Sequence, residues 1–180
     1  MRLTSDRAQF WGATEAERQA TYPCDAHASK PYRRYLRAVD IDADPAVTFR
    51  WVCQLKVAPY SYDWIDQLGR RSPRKLTPGA DHLAVGQRFM IAKIVDFESG
   101  RHITAISTPK ASRLFGPIVL TYQVDQRGKL SRLVVAMTVT ASSGAGRLRR
   151  ELLGWGEMVM MRKQLLTLKR YAKRSEPLAL

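Results

Sequence analysis

The strongest periodic signal lies near the end of the chain. Leu148, Leu152, Trp155 and Val159, together with Met158, Met161, Leu165, Leu168 and Ala172, step by three and four residues. Arg150, Glu157, Lys163, Gln164, Arg170 and Arg174 fall on the other side. That spacing predicts an amphipathic helix of about 25 residues with one apolar stripe. Gly154 and Gly156 flank Trp155 inside it. Each costs about 1 kcal/mol relative to alanine in a helix interior. The pair therefore predicts a kink, or a place where something packs against the backbone with Trp155 as part of the wall. The competing reading starts the helix only at Glu157.

Upstream, the period changes to two. YLRAVDIDA (35–43) alternates and predicts a strand. QRFMIAKIVDFE and RHITAISTP, joined by Ser99-Gly100, predict a hairpin. A second hairpin is predicted from Leu114 to Asp125 and from Lys129 onward, turning at Gln126-Arg127-Gly128. Ile118, Leu120, Tyr122 and Val124 alternate there with Val119, Thr121, Gln123 and Asp125, so one face is expected to be drier. Between the first strand and the hairpins, Asp44-Pro45 opens AVTFRWVCQL, whose Val47, Trp51, Val52 and Leu55 have helical spacing. Pro59 interrupts it, and Ser61 caps a second short helix, YDWIDQL, ending at Gly69. Residues 70–81 and 142–146 read as loops. Thr14 and Glu17 fit a capping box for a short helix near 15–20, which Tyr22-Pro23 breaks.

The order is strand, two short helices, a run of antiparallel strands and one long final helix. In that order, and locally in RAVDIDADPAVTFRWVCQL and APYSYDWIDQLGRRSP, the chain resembles the SRPBCC or START-like superfamily. That group includes polyketide cyclase/dehydrase and lipid-transport proteins. The resemblance covers roughly residues 35–174 and implies an α+β helix-grip fold, a curved antiparallel sheet wrapped around a long C-terminal helix. It implies seven strands where the pattern shows five or six; breaks inside 85–98 or near 110–116 would supply the rest. Residues 1–34 are then an N-terminal extension, with covering the sheet edge, closing the pocket or disorder as its three open roles, 35–174 the ligand-binding domain and 175–180 a tail.

The resemblance also implies a cavity between helix and sheet. Its candidate lining is Tyr60, Tyr62, Trp64, Met90, Tyr122, Met137, Trp155, Met158 and Met161, with Trp51 and Met160 nearby in the pattern. Methionine adapts to ligands of varied shape, and a small-molecule pocket is mostly apolar with few polar groups. The plain alternative is that each of these residues is core. The leading expectation is therefore binding of a small hydrophobic, lipid-like or aromatic, ligand. An enzyme of the polyketide cyclase/dehydrase type is the alternative, with Tyr60, Tyr62, Asp63, Asp66 and Arg101 as its polar groups.

Composition narrows the rest. The 180 residues are 45 % apolar, which suits a folded domain. No apolar run approaches the roughly 18 residues of a membrane span, and the N-terminal residues hold no continuous apolar signal region. Cys24 and Cys53 make neither a disulfide framework nor a metal set, so a cytoplasmic protein with free thiols is expected. His27, His82 and His102 show no triad or zinc spacing, and no cofactor or metal is expected. The net charge is +14. Residues 1–66 carry nine cations and nine acids, 67–144 twelve against four, and 145–180 nine against three. Such a field attracts nucleic acid or anionic membrane at low salt. Without a recognition motif, nucleic acid is not the expected partner; a solubilising surface is, and a transient contact with anionic membrane is compatible with it. A basic interaction domain for acidic partners is the third reading. Arg147, Arg149 and Arg150 could hold an anion at the start of the final helix. Oligomeric state is not legible.

Overall fold

A computed structural model of the chain describes residues 9–60, 72–140 and 147–175, and at 114–115 and 147–158 the backbone alone. Its elements are β1 (Phe10–Trp11), α1 (Glu15–Gln19), α2 (Pro23–His27), β2 (Tyr32–Ile41), α3 (Pro45–Cys53) with a 3-10 turn at Gln54–Lys56, β3 (Arg88–Phe89), β4 (Ala92–Glu98), β5 (His102–Ser107), α4 (Pro109–Phe115), β6 (Ile118–Arg127), β7 (Leu130–Thr140) and α5 (Arg147–Ser175). The seven strands form one curved sheet in the order β1-β2-β7-β6-β5-β4-β3. Every pairing is antiparallel except β1 on β2. β2 and β7 pair over their whole length, from Tyr32 opposite Thr140 to Ile41 opposite Ser131. α5 lies along β2 and against α3.

The expected helix starts are present where their chemistry requires them. Thr14 and Glu17 form the capping box of α1. The Asp44 side chain accepts the Ala46 N–H, with Pro45 in the first turn of α3. α5 runs without a break from Arg147 to Ser175, so Gly154 and Gly156 lie inside it and it does not begin at Glu157. The short helix read at YDWIDQL falls outside the described residues.

Two readings change and one alternative is met. The first strand begins at Tyr32 rather than Tyr35. The break expected inside 85–98 exists, at Met90, and separates β3 from β4. The segment near 110–116 is no strand. Thr108 caps a helix and Pro109 takes its first turn, so Thr-Pro opens α4 rather than closing β5.

Residues 9–34 take the sheet-edge role, one of the three left open, and also cover the convex face. β1 extends the sheet edge beside β2, and α2 packs across β5, β6 and β7. Tyr22 and Cys24 join Leu36, Ala38, Val119, Val134 and Ala136 in a buried cluster on the convex face. The larger cluster, including Trp51, Tyr60, Tyr122, Leu165 and Leu168, lies on the concave face. With both faces covered, Ser131 to Thr138 of β7 are buried without alternation, and the wetter face expected for β6 is dry at Val119 and Thr121. The Cys24 N–H donates to Thr121 Oγ1 at 2.9 Å, and Thr121 meets Thr104 at 2.9 Å. Glu17 takes Arg132 in a fork, Nε and Nη2 each 2.8 Å from one carboxylate oxygen. The chain leaves β1 at Gly12, φ +73°, where an added Cβ would stand 2.1 Å from the Ala38 carbonyl oxygen; only glycine fits.

Both thiols are buried and free. Burial pushes Cys24 up to about 11 and Cys53 up to about 12. Thiolate is the reactive form. Iodoacetamide at pH 8 is therefore expected to leave both unmodified in the folded protein and to alkylate both in urea. Intact mass reads the outcome, and a folded-state adduct appearing at the rate of a free cysteine would contradict this packing.

Candidate functional site

The concave face is built from cross-strand rows. One row runs Tyr35, Met137, Leu120, Ala105, Ile94 from β2 through β7, β6 and β5 to β4. The next runs Arg37, Val135, Tyr122, Ile103, Phe97. Strand alternation places both rows toward α5. Met137 and Tyr122 are thus neighbours by register, and both belong to the buried cluster that Tyr60 completes and that Met90 and Met161 flank.

These residues meet at a side chain that the sequence pattern puts on the wrong face. Gln164 of α5 is 4 % exposed. Its Oε1 accepts the Tyr122 hydroxyl at 2.5 Å, and its Nε2 donates to the Pro59 carbonyl at 2.5 Å and faces Met90 Sδ at 3.3 Å. The same hydroxyl lies 3.4 Å from Met161 Sδ. One amide therefore ties together α5, β6, the β3–β4 turn and the segment after α3. Its position carries the missed signal, since Gln164 is three residues past Met161 and four before Leu168, inside the apolar stripe. Burying an amide is tolerated only where it is hydrogen-bonded.

Backbone conformation adds to the node. Tyr60 and Met90 have φ of 55° and 54°, the two positive values outside glycine among the described residues. Tyr60 follows Pro59, and its hydroxyl donates to the Pro73 carbonyl at 2.9 Å. The strained residues therefore bracket the Gln164 amide.

The remaining candidates separate. Tyr62, Trp64, Asp63 and Asp66 lie outside the described residues, as do the side chains of Trp155, Met158, Arg147, Arg149 and Arg150. Trp51 is core, stacked on Tyr171 with centroids 5.0 Å apart. Arg101 sits on the β4–β5 turn, exposed and paired with Glu98 at 3.1 Å, away from the node. His102 points to the convex face, its Nε2 2.8 Å from Asp96. His27 and His82 are exposed. Arg37, which the pattern did not single out, is buried at 1 % in the Tyr122 row; its Nη1 donates to the Gln9 and Leu36 carbonyls at 2.9 and 2.8 Å, at the β1 edge. Among the described residues, no three His, Cys, Asp or Glu side chains gather as a metal site, and no helix is long and apolar enough to cross a membrane. From Met158 to Ser175, α5 carries Arg162, Lys163, Lys169, Arg170, Lys173 and Arg174 and no acid, so part of the basic surplus lies on this helix. Lys173 reaches Asp42 at 2.6 Å, and Arg162 and Arg170 lie over the rings of Trp11 and Tyr171.

No family model and no curated protein matches this chain. Solved structures do. Protein MLL2253 from Mesorhizobium loti is similar with a TM-score of 0.51 at 14% identity, over 81% of this chain and 100% of that one. The di-domain ARO/CYC StfQ from the steffimycin biosynthetic pathway is similar with a TM-score of 0.50 at 11% identity, over 79% of this chain and 51% of that one. Major latex-like protein 151 from Panax ginseng gives a TM-score of 0.47 at 13% identity, over 81% of this chain and 99% of that one. At such identities the likeness to the first two is one of fold.

Proposed function

From the helix-grip fold that this chain shares with SRPBCC structures, we propose that the protein binds a small, largely apolar molecule between α5 and the concave face of the sheet. The observation that carries the reading is the Tyr122–Gln164 pair, flanked by Met90 and Met161, where helix, strand and turn meet. A few polar groups set among flexible apolar ones is the composition of a small-molecule site. Thioethers reshape around a guest at little cost. In this reading Tyr60, Met90, Tyr122, Met137 and Met161 form one side of the site, and Tyr62, Trp64, Trp155 and Met158 complete it.

A cyclase-type reaction on a polyketide-like chain is the second reading. The Tyr122 hydroxyl favours it, because its proton, turned from Gln164 Oε1 to a substrate carbonyl, can hold that carbonyl while a flexible chain bends. The neutral probe N-phenyl-1-naphthylamine tests the shared premise. Saturable binding of one equivalent, with the emission blue shift of an apolar site, is the expected result. Emission that rises linearly without saturation removes both readings.

A further inference from the structure

The contacts around Gln164 point to a chemical class of ligand, an inference that rests on the binding reading above. The amide nitrogen has two hydrogens. One goes to an oxygen, the Pro59 carbonyl; the other faces the Met90 thioether at 3.3 Å. A thioether is a weak acceptor, and buried donors normally meet an oxygen. Met90 reaches that place from a turn between β3 and β4 at φ 54°, and Tyr60 holds the facing segment at φ 55°. Strain of this kind gathers at ligand clamps and switch regions, where the surroundings hold it in place.

We propose that the Met90 side chain is a stopper, and that a ligand oxygen displaces its sulfur from the Gln164 N–H. Sidechain rotation suffices for the exchange, because methionine has three flexible torsions. The oxygen is uncharged. Gln164 and Tyr122 offer neutral dipoles, and a carboxylate brought against them would be desolvated without a countercharge from either. Arg37, the cation in the same row, turns its Nη1 to carbonyls at the β1 edge, and its Cα is two strands from that of Tyr122. The ligand class is therefore an apolar, ring-sized molecule carrying a ketone, quinone or ester carbonyl.

Two near-isosteric probes test this: 2-acetylnaphthalene and 2-isopropenylnaphthalene, which differ by C=O against C=CH2. Each is titrated against bound N-phenyl-1-naphthylamine. The wild type is expected to prefer the ketone by about tenfold, the worth of one buried hydrogen bond. In the Gln164→Leu/Tyr122→Phe double variant, which removes both members of the pair, the preference falls to about one. Met90→Leu keeps or widens the preference, because the competing sulfur is gone. Equal affinity of the wild type for both probes overturns the carbonyl assignment and leaves the binding reading standing. A preference that survives in the double variant overturns the role of Gln164. Failure of both probes to displace the dye from the wild type overturns the ligand class.

Discussion

Trp51→Ala lowers the free energy of unfolding by about 4 kcal/mol, the ordinary cost of deleting a fully buried large aromatic. Trp51 is 1 % exposed. Its ring stacks on Tyr171 at 5.0 Å with an interplanar angle of 23°, and meets Tyr60 edge-on at 6.0 Å and 86°. Its Nε1–H donates to Ser175 Oγ at 3.0 Å. One side chain therefore joins α3, the end of α5 and the residue held at positive φ. Removing it loses apolar burial, two ring pairs and the packing that keeps Tyr60 in place, and leaves a void that rigid neighbours only partly fill. Since a domain of this size is stable by only about 5–15 kcal/mol, the loss is a large share of the total. Urea unfolding followed by far-UV circular dichroism measures it. Trp51→Phe, which keeps a ring, should lose markedly less. A deficit below about 1.5 kcal/mol for the alanine variant would mean that the three elements close over the gap, against this account.

Glu17→Gln is expected to cost about 1.5 kcal/mol at pH 7, the worth of charge-assisted hydrogen bonds, and its effect should fade in acid. The Arg132 side chain is 8% exposed and that of Glu17 15%. Neutralising the glutamate leaves the guanidinium with Asp40 at 3.3 Å and the Gly12 carbonyl at 2.7 Å. Burial by itself pushes the Glu17 carboxyl up. The Arg132 hydrogen bonds and charge and the Thr14 N–H outweigh it and hold the carboxyl below its ordinary value. A group whose pKa is depressed in the folded state stabilises fully above its unfolded pKa, about 4.3, and loses that contribution as pH falls through the folded value. The gap in melting temperature between wild type and Glu17→Gln should therefore be widest near neutrality and close below about pH 4. A gap that stays constant down to pH 3 would show that the carboxylate charge is not what the fold uses.

The sequence pattern reaches far where the physics is local. The period of α5, the capping box of α1, the Asp44-Pro45 start of α3 and both hairpins are set by neighbours a few residues apart. The break at Met90 shows the limit, because a non-glycine residue at positive φ has no composition signal. Gln164 shows another. Its polar identity argued for the outer face, while its position between Met161 and Leu168 placed it inside. The hydroxyl of Tyr122, brought from 42 residues away, and the carbonyl of Pro59, from 105 away, make that position tenable. The gathering of Tyr60, Met90, Tyr122, Met137 and Met161 follows from the resemblance to the helix grip rather than from any spacing among them. The packing of residues 9–34 on the convex face is the least legible feature, since Thr121, Arg132 and Thr140, which hold them to β6 and β7, lie about 100 residues away.

That distance has a consequence for how the protein is made. Cys24 bonds Thr121 across 97 positions, Ser29 accepts from Thr140 across 111 and Glu17 grips Arg132 across 115. During synthesis the leading segment therefore leaves the ribosome long before its seat exists. At about 5–20 residues per second, roughly 100 residues of delay amount to some 5–20 seconds. For that interval Tyr22 and Cys24 have no β6 or β7 to cover, and the nascent chain presents them to whatever else is near. Residues 22–29 are therefore made well before β6 and β7, the strands that seat them.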